Sequence, residues 1–325
     1  MSARTIAALL AIAALATLPL WLQETYYVNV ASQILLNAVF ALGLNIIVGY
    51  AGLVSLGHAG LMGLAAYGAA ILLQAGFGHG VAILGGLVLT LAGTAIFAAL
   101  ALRATGIGFV MITLAIGQIL WGLAYRWLSL TDGDNGINID SRPAPLGLSL
   151  DGARPFYYAT LATFLLAVAA VFVFTRSSFG ASLTGTRDQP RRMTALGYNV
   201  WLVRFCACLF SGFLSGVSGL LFLYYNEFIS PQAIQLSASA ETLLMVISGG
   251  SGTLLGPIAG AALVVVMKSV ASAYIERWNF VLGAIFVAIV IFMPEGFVPG
   301  SVRLARWGVR ALKPRPAPVA AKGEP

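Results

Sequence analysis

The chain alternates long apolar runs with short interruptions of glycine, proline or charge. The runs occupy roughly residues 6–22, 29–49, 57–75, 81–102, 106–128, 156–175, 201–225, 240–250, 254–273 and 279–298. A helix needs ~20 apolar residues to cross a bilayer, and nearly every run meets that length. The 240–250 run is too short to cross alone and leads into a glycine-rich turn, Ser248-Gly249-Gly250-Ser251-Gly252. This pattern predicts an all-α, polytopic membrane protein with about ten transmembrane helices, including short interrupted segments, over residues 1–312. Residues 313–325, rich in proline, alanine and basic residues, predict a disordered tail.

Composition agrees. Of 325 residues, 59% are hydrophobic and 9% charged, whereas a soluble domain carries about a quarter charged residues. Such a surface suits lipid, where charge is costly. The net charge of +7 raises the question of nucleic acid, but its distribution answers it. With the N-terminus in the cytoplasm, Arg176, Arg187, Arg191, Arg192, Arg303, Arg306 and Arg310 fall inside. Asp132, Asp134, Asp140, Asp151, Glu227 and Glu241, with Lys268, fall outside. Basic residues follow the cytoplasmic side, so the surplus reports topology and a match to anionic lipid, not a nucleic-acid partner. Both termini are then cytoplasmic. Residues 1–22 read as a retained first helix, because the apolar run continues through Pro19 and Trp21. The alternative is a cleaved leader with Arg4 as its basic start.

Two polar loops separate the runs, 129–155 outside and 176–200 inside. Two glycine-rich stretches interrupt them. In Gly49-Tyr50-Ala51-Gly52-Leu53-Val54-Ser55-Leu56-Gly57-His58-Ala59-Gly60, the small residues allow close helix approach and break helical continuity between Gly52 and Gly57. Unwound backbone at membrane depth must be enclosed by protein or line a water-filled cavity. Gly52, Ser55, Gly57 and His58 are therefore candidates for a pathway wall or a tight packing corner, His58 being more readily a helix-to-helix hydrogen-bonding group than a ligand. The same choice applies to Ser248, Gly249, Gly250 and Gly252 in the second stretch.

Several chemistries are disfavoured. The stretch Gly249–Pro257 lacks the lysine of a phosphate-binding G-x-x-x-x-G-K-[ST] loop, so ATP must be handled by another chain. His58 and His79 have no cysteine or carboxylate nearby, which argues against a zinc site. Away from span ends the apolar runs hold almost no ionisable groups, against an internal proton relay and against an enzyme. Cys206 and Cys208 read as small apolar filler.

At these places the sequence resembles the permease subunits of branched-chain amino acid ABC importers, of the LivM type. Gly49, Tyr50, Gly52, Ser55, Gly57, His58 and Ala59 match G-Y-x-G-x-x-S-x-G-H-A. Thr131-Asp132-Gly133-Asp134-Asn135-Gly136-Ile137 is similar to T-G-G-x-N-G-[IL], with Asp132 replacing the first glycine. Arg187, Asp188, Leu196, Gly197, Asn199 and Val200 match an R-D…L-G-x-N-V pattern, here with seven residues between Asp188 and Leu196, Pro190-Arg191-Arg192 departing from the usual segment. Gly249, Gly250, Gly252, Thr253, Leu254, Gly256 and Pro257 match G-G-x-G-T-L-x-G-P, and Pro294-Glu295-Gly296 resembles a terminal P-[RKE]-G. The resemblance spans about 30–300.

It implies a type II importer fold without an ATPase site or a cofactor in this chain. Its partners are a second, LivH-like permease subunit, two cytoplasmic ATP-binding subunits and an external substrate-binding protein, in an inner membrane. The 176–200 loop then couples to the ATPases, with Arg187, Asp188, Leu196 and Gly197 at that contact and a coupling helix beginning near Pro190. Urea and short-amide permeases look similar, so that substrate class stays open beside the hydrophobic amino acids. A secondary carrier needs ion ligands in its spans, and few are found.

Overall fold

A computed structural model describes residues 3–21, 24–143, 150–274 and the single positions 280, 283, 284 and 287. The run predicted at 279–298 lies almost wholly outside the described residues, and Pro294–Gly296, the basic positions from Arg303 onward and the 313–325 tail lie outside them entirely.

Helices form where the apolar runs predict them, with ends shifted by a few residues. In chain order they are α1 (Ala3–Trp21), α2 (Thr25–Asn45), α3 (His58–Gln74), α4 (His79–Ala101), α5 (Ile107–Arg126), α6 (Leu128–Thr131), α7 (Ala153–Arg176), α8 (Ser178–Asp188), α9 (Pro190–Ala195), α10 (Val200–Asn226), α11 (Leu236–Gly249) and α12 (Leu255–Tyr274). Helix α2 runs on into a π-helical turn, Ile46–Tyr50. Five of these segments are long and apolar enough to cross a membrane: Thr25–Tyr50, α4, α5, α7 and α10. Helices α3, α11 and α12 are apolar but shorter in their most apolar reach.

Burial divides the spans. The most apolar stretch of α2 is 72% buried and that of α10 61%, against 33%, 22% and 28% for α4, α5 and α7. Helices α2 and α10 are thus the central pair, and α4, α5 and α7 turn large apolar residues such as Leu84, Ile119 and Leu166 outward. Small residues on α10 let its neighbours come close. Gly43 of α2 packs on Leu214, Gly216 faces Thr90 of α4, and Gly219 abuts the Met62 carbonyl of α3. Hydroxyls reinforce the contact, as where Ser218 donates to the Leu36 carbonyl at 3.0 Å.

Among the described residues the wholly helical expectation meets one exception. Ile137–Asn138 in the 129–155 loop pairs antiparallel with Phe228–Ile229 after α10, in the register Ile137 to Ile229. A two-residue strand carries too little periodicity to stand out in sequence. Arg142 ties the same loops together, donating to the Tyr225 carbonyl at 3.2 Å, pairing with Glu227 at 2.8 Å and lying over the Phe156 ring. Glu241 and Lys268 lie within α11 and α12, where the ammonium sits 3.2 Å from both carboxylate oxygens.

Candidate functional site

The glycine-rich stretches and the 176–200 loop, far apart in sequence, meet at one end of the bundle. Helix α8 is capped by the Ser177 hydroxyl, which accepts from Gly180 N–H, and buries Leu183 and Thr186 against the bundle. Arg204 of α10 donates to the Thr186 carbonyl at 2.7 Å. This docking directs Arg187 at the end of the π turn, where its Nη1 donates to the Gly49 carbonyl at 2.6 Å. Gly52 follows in the left-handed region (φ +70°), and a Cβ there would press on the Arg187 side chain. The Asp188 pairing with Arg187, at 2.9 Å and largely exposed, adds little.

The second glycine stretch closes the junction from the other side. Asn45, fully buried at the end of α2, accepts from Gly252 N–H at 2.9 Å and donates to the Thr253 carbonyl at 2.9 Å. A Cβ on Gly49 would overlap the Gly252 backbone nitrogen, so these two breaks lie backbone to backbone. Gly250 ends α11 with φ +113°. Gly249 meets the Gly256 carbonyl and Gly260 the Met245 carbonyl, giving the close crossing of α11 and α12. Ser248 is buried and its hydroxyl returns to Met245 of its own helix.

Several backbone groups in and just after the unwound 51–57 segment find partners within the protein, in keeping with what membrane depth requires. Leu53 N–H returns to the Ile47 carbonyl, Leu56 N–H donates to the Thr113 hydroxyl at 3.3 Å, and Ala59 N–H donates to the Ser239 hydroxyl at 3.0 Å. Gly57 packs directly on the Thr113 carbonyl. His58, fully buried, joins three elements. Ser211 O–H donates to the Gly43 carbonyl at 2.6 Å, so Ser211 is the acceptor for His58 Nε2–H at 3.0 Å. That leaves His58 Nδ1 to accept from Ser55 O–H at 2.8 Å. The histidine bridges α3 to α10 and, through Ser211, to α2 by hydrogen bonds.

Helix α9 is different. Pro190 occupies its first turn, where its missing N–H costs nothing, and no α9 residue is buried. Leu196 is 72% exposed, and Gly197 turns the chain at φ +86° with open space around it. Tyr198, Trp201 and Leu202 extend this exposed apolar tip.

Of the residues singled out from sequence, Gly52, Gly252 and Arg187 come together at the junction, with Asp188 beside them and Gly249 and Gly250 at its edge. Ser55, Gly57 and His58 form a separate buried relay, and Leu196 and Gly197 stand apart on the surface. Sequence reasoning missed Asn45, Ser211, Ser239 and Thr113. A lone asparagine inside an apolar run was the available signal for Asn45; the hydroxyls gave none, since serine and threonine commonly bond back to their own helix.

The sequence model of a family described as branched-chain amino acid transport system / permease component matches residues 26–290. The high-affinity branched-chain amino acid transport system permease protein LivM of Salmonella typhimurium is 28% identical over 298 residues, covering 84% of this chain and 70% of that protein. LivM of Escherichia coli is 27% identical over the same shares of both chains. The autoinducer 2 import system permease protein LsrC of Salmonella typhimurium is 29% identical over 165 residues, 48% of this chain and 45% of its own. No solved structure matches. The matched region runs from the second residue of α2 past the end of α12 and includes the bonded glycine breaks, and the chain belongs to the family of branched-chain amino acid transport system permease components.

Proposed function

We propose that this chain is the membrane-spanning permease subunit of a type II ABC importer that carries branched-chain amino acids into the cytoplasm. It crosses the bilayer about ten times within residues 1–312, with both termini and the 176–200 loop cytoplasmic. A second, LivH-like permease subunit completes the path, two cytoplasmic subunits bind and hydrolyse ATP, and an external binding protein delivers the solute. The chain itself needs no cofactor. Leucine, isoleucine and valine are favoured as cargo because the LivM relatives align over 84% of the chain, against 48% for LsrC.

The observation that carries the coupling role is the contrast between α8 and α9. Helix α8 is bonded into the bundle through Arg187 and Thr186, whereas α9 buries nothing and ends in the exposed Leu196–Gly197 tip. A short helix with an apolar tip suits a groove on a soluble partner. Movement of that tip by the ATPases passes through α8 to Arg187, and from there to the breaks at Gly49–Gly52 and Gly252. The nucleotide state thereby biases a two-state element.

Leu196→Asp tests this. Leu196 is 72% exposed, so the variant folds and inserts, but it co-purifies with less of the ATP-binding subunits and loses solute-stimulated ATPase activity. Wild-type retention refutes the coupling assignment. Concentrative leucine uptake by the purified chain alone in liposomes, driven by a proton or sodium gradient, refutes the importer reading as a whole.

A further inference from the structure

A cavity of about 480 Å³ is lined by residues of α2, α3, α10, α11 and α12 and of the 230–233 segment that precedes α11. Its walls are amphipathic. Gln33, Asn37 and Gln232 contribute amides, while Phe40, Met62 and Met245 contribute apolar surface. Glu241 and Lys268 also line it, with the ammonium 3.2 Å from each carboxylate oxygen. Lys268 lies about 9 Å of helix short of the last residue of α12, Tyr274. The pair is therefore set within the helices and is no rim feature.

Ionisable residues inside membrane helices are expensive and mark functional positions. An ion pair kept only to join α11 to α12 is best sealed from its surroundings. This one is not sealed: the Lys268 side chain is 37% exposed and that of Glu241 23%, and both residues line the cavity. One negative and one positive group, side by side above apolar walls, match a molecule carrying an ammonium, a carboxylate and an aliphatic side chain.

We propose that Glu241 and Lys268 form a zwitterion-receiving subsite in the permease. The α-ammonium of an amino acid binds Glu241, its carboxylate binds Lys268, and its aliphatic side chain lies against Phe40, Met62 and Met245. Entry of the zwitterion exchanges one ion pair for two, with no change of net charge in the cavity. An amine or a carboxylic acid of the same shape leaves one protein charge unmatched and is rejected for that reason. The proposal rests on the amino acid import reading and adds that the permease itself recognises the backbone charges of its cargo.

The test uses the complete complex in liposomes, comprising both permease subunits, the ATP-binding subunits and the binding protein, with labelled leucine. Glu241→Gln and Lys268→Met each lower uptake by about tenfold or more, the scale of one charge-assisted hydrogen bond, while the complex still assembles. The exchange Glu241→Lys with Lys268→Glu keeps an ion pair but inverts the subsite, so uptake stays low. Wild-type uptake in the single variants, or uptake restored by the exchange, overturns the proposal and makes the pair a helix-to-helix tie. Should a single variant fail to assemble, Glu241→Gln combined with Lys268→Met removes both charges of the pair together and carries the same test: lost uptake in an intact complex supports the subsite, and wild-type uptake overturns it. A wild-type complex that carries no amino acid fells the import reading and the subsite with it. Uptake indifferent to these variants fells the subsite alone.

Discussion

Asn45→Leu is the most informative perturbation of the junction. The Asn45 amide serves two backbone groups on a segment more than 200 residues away, accepting from Gly252 N–H and donating to the Thr253 carbonyl, both at 2.9 Å. Leucine has similar bulk and suits the apolar surroundings, so the change removes bonds without opening a large cavity. It leaves a partly buried donor and a partly buried acceptor unpaired, each costing about 1–3 kcal/mol when fully desolvated. The break can relax in part, so the lower half of the sum, about 2–4 kcal/mol, is expected. At roughly 2 °C per kcal/mol for a chain of this size, thermal unfolding shifts down by about 4 °C or more. The chain supplies its own reporter. Its two cysteines are free, and Cys208 is buried while Cys206 is half-buried, so in a Cys206→Ser background a thiol-reactive dye reports unfolding in detergent. Thr163→Val is the control, because that hydroxyl bonds to Ala159 of its own helix; its effect stays within about 0.5 kcal/mol. Asn45→Asp does not rescue, since it keeps the acceptor for Gly252 but sets a carboxylate oxygen against the Thr253 carbonyl. An Asn45→Leu midpoint equal to that of Thr163→Val refutes the clamp.

The same dye assay checks two further expectations. Gly249→Ala places a methyl group on the Gly256 carbonyl and forces α11 and α12 apart, lowering the midpoint or preventing recovery of folded protein. Gly122→Ala, facing open space in α5, is neutral or stabilising by up to about 1 kcal/mol through helix propensity. His58→Ala and Ser211→Ala each destabilise, and because they cut one hydrogen-bonded chain their double variant loses less than the sum, by about 0.5–3 kcal/mol. Strict additivity there contradicts the relay from Ser55 to Gly43.

Much of the helical framework was legible from sequence, because an apolar run of membrane length has few alternatives to helix. The break from Gly52 to Gly57 was also legible, since glycines crowd there between two apolar runs, whereas the π turn at 46–50 was read as part of the run before it. What could not be read was which break touches which. Arg187 looks like one more basic loop residue, and only the docking of α8 through Leu183 and Thr186 turns it toward Gly49. Asn45 looks like an isolated polar residue, and its partners lie beyond any local pattern. Glu241 and Lys268 read only as charges of the outer side, with nothing in the sequence to pair them. Their meeting depends on the crossing of α11 and α12 that Gly249 and Gly260 permit.

These details share one physical consequence. A helix break inside a membrane protein exposes backbone groups that must find partners, and here the partners come from other elements. Asn45 serves Gly252 and Thr253, Thr113 serves Leu56, Ser239 serves Ala59 and Arg187 serves Gly49. Displacing α8, α5 or α11 relative to α2 and α3 therefore strips a buried donor or acceptor at a break, at about 1–3 kcal/mol for each group left unpaired. The breaks do not bend freely, and their geometry is conditional on the positions of their neighbours. A force applied at α9 must break or carry along the Arg187–Gly49 bond, so the junction transmits displacement between the exposed tip and the central helices instead of absorbing it.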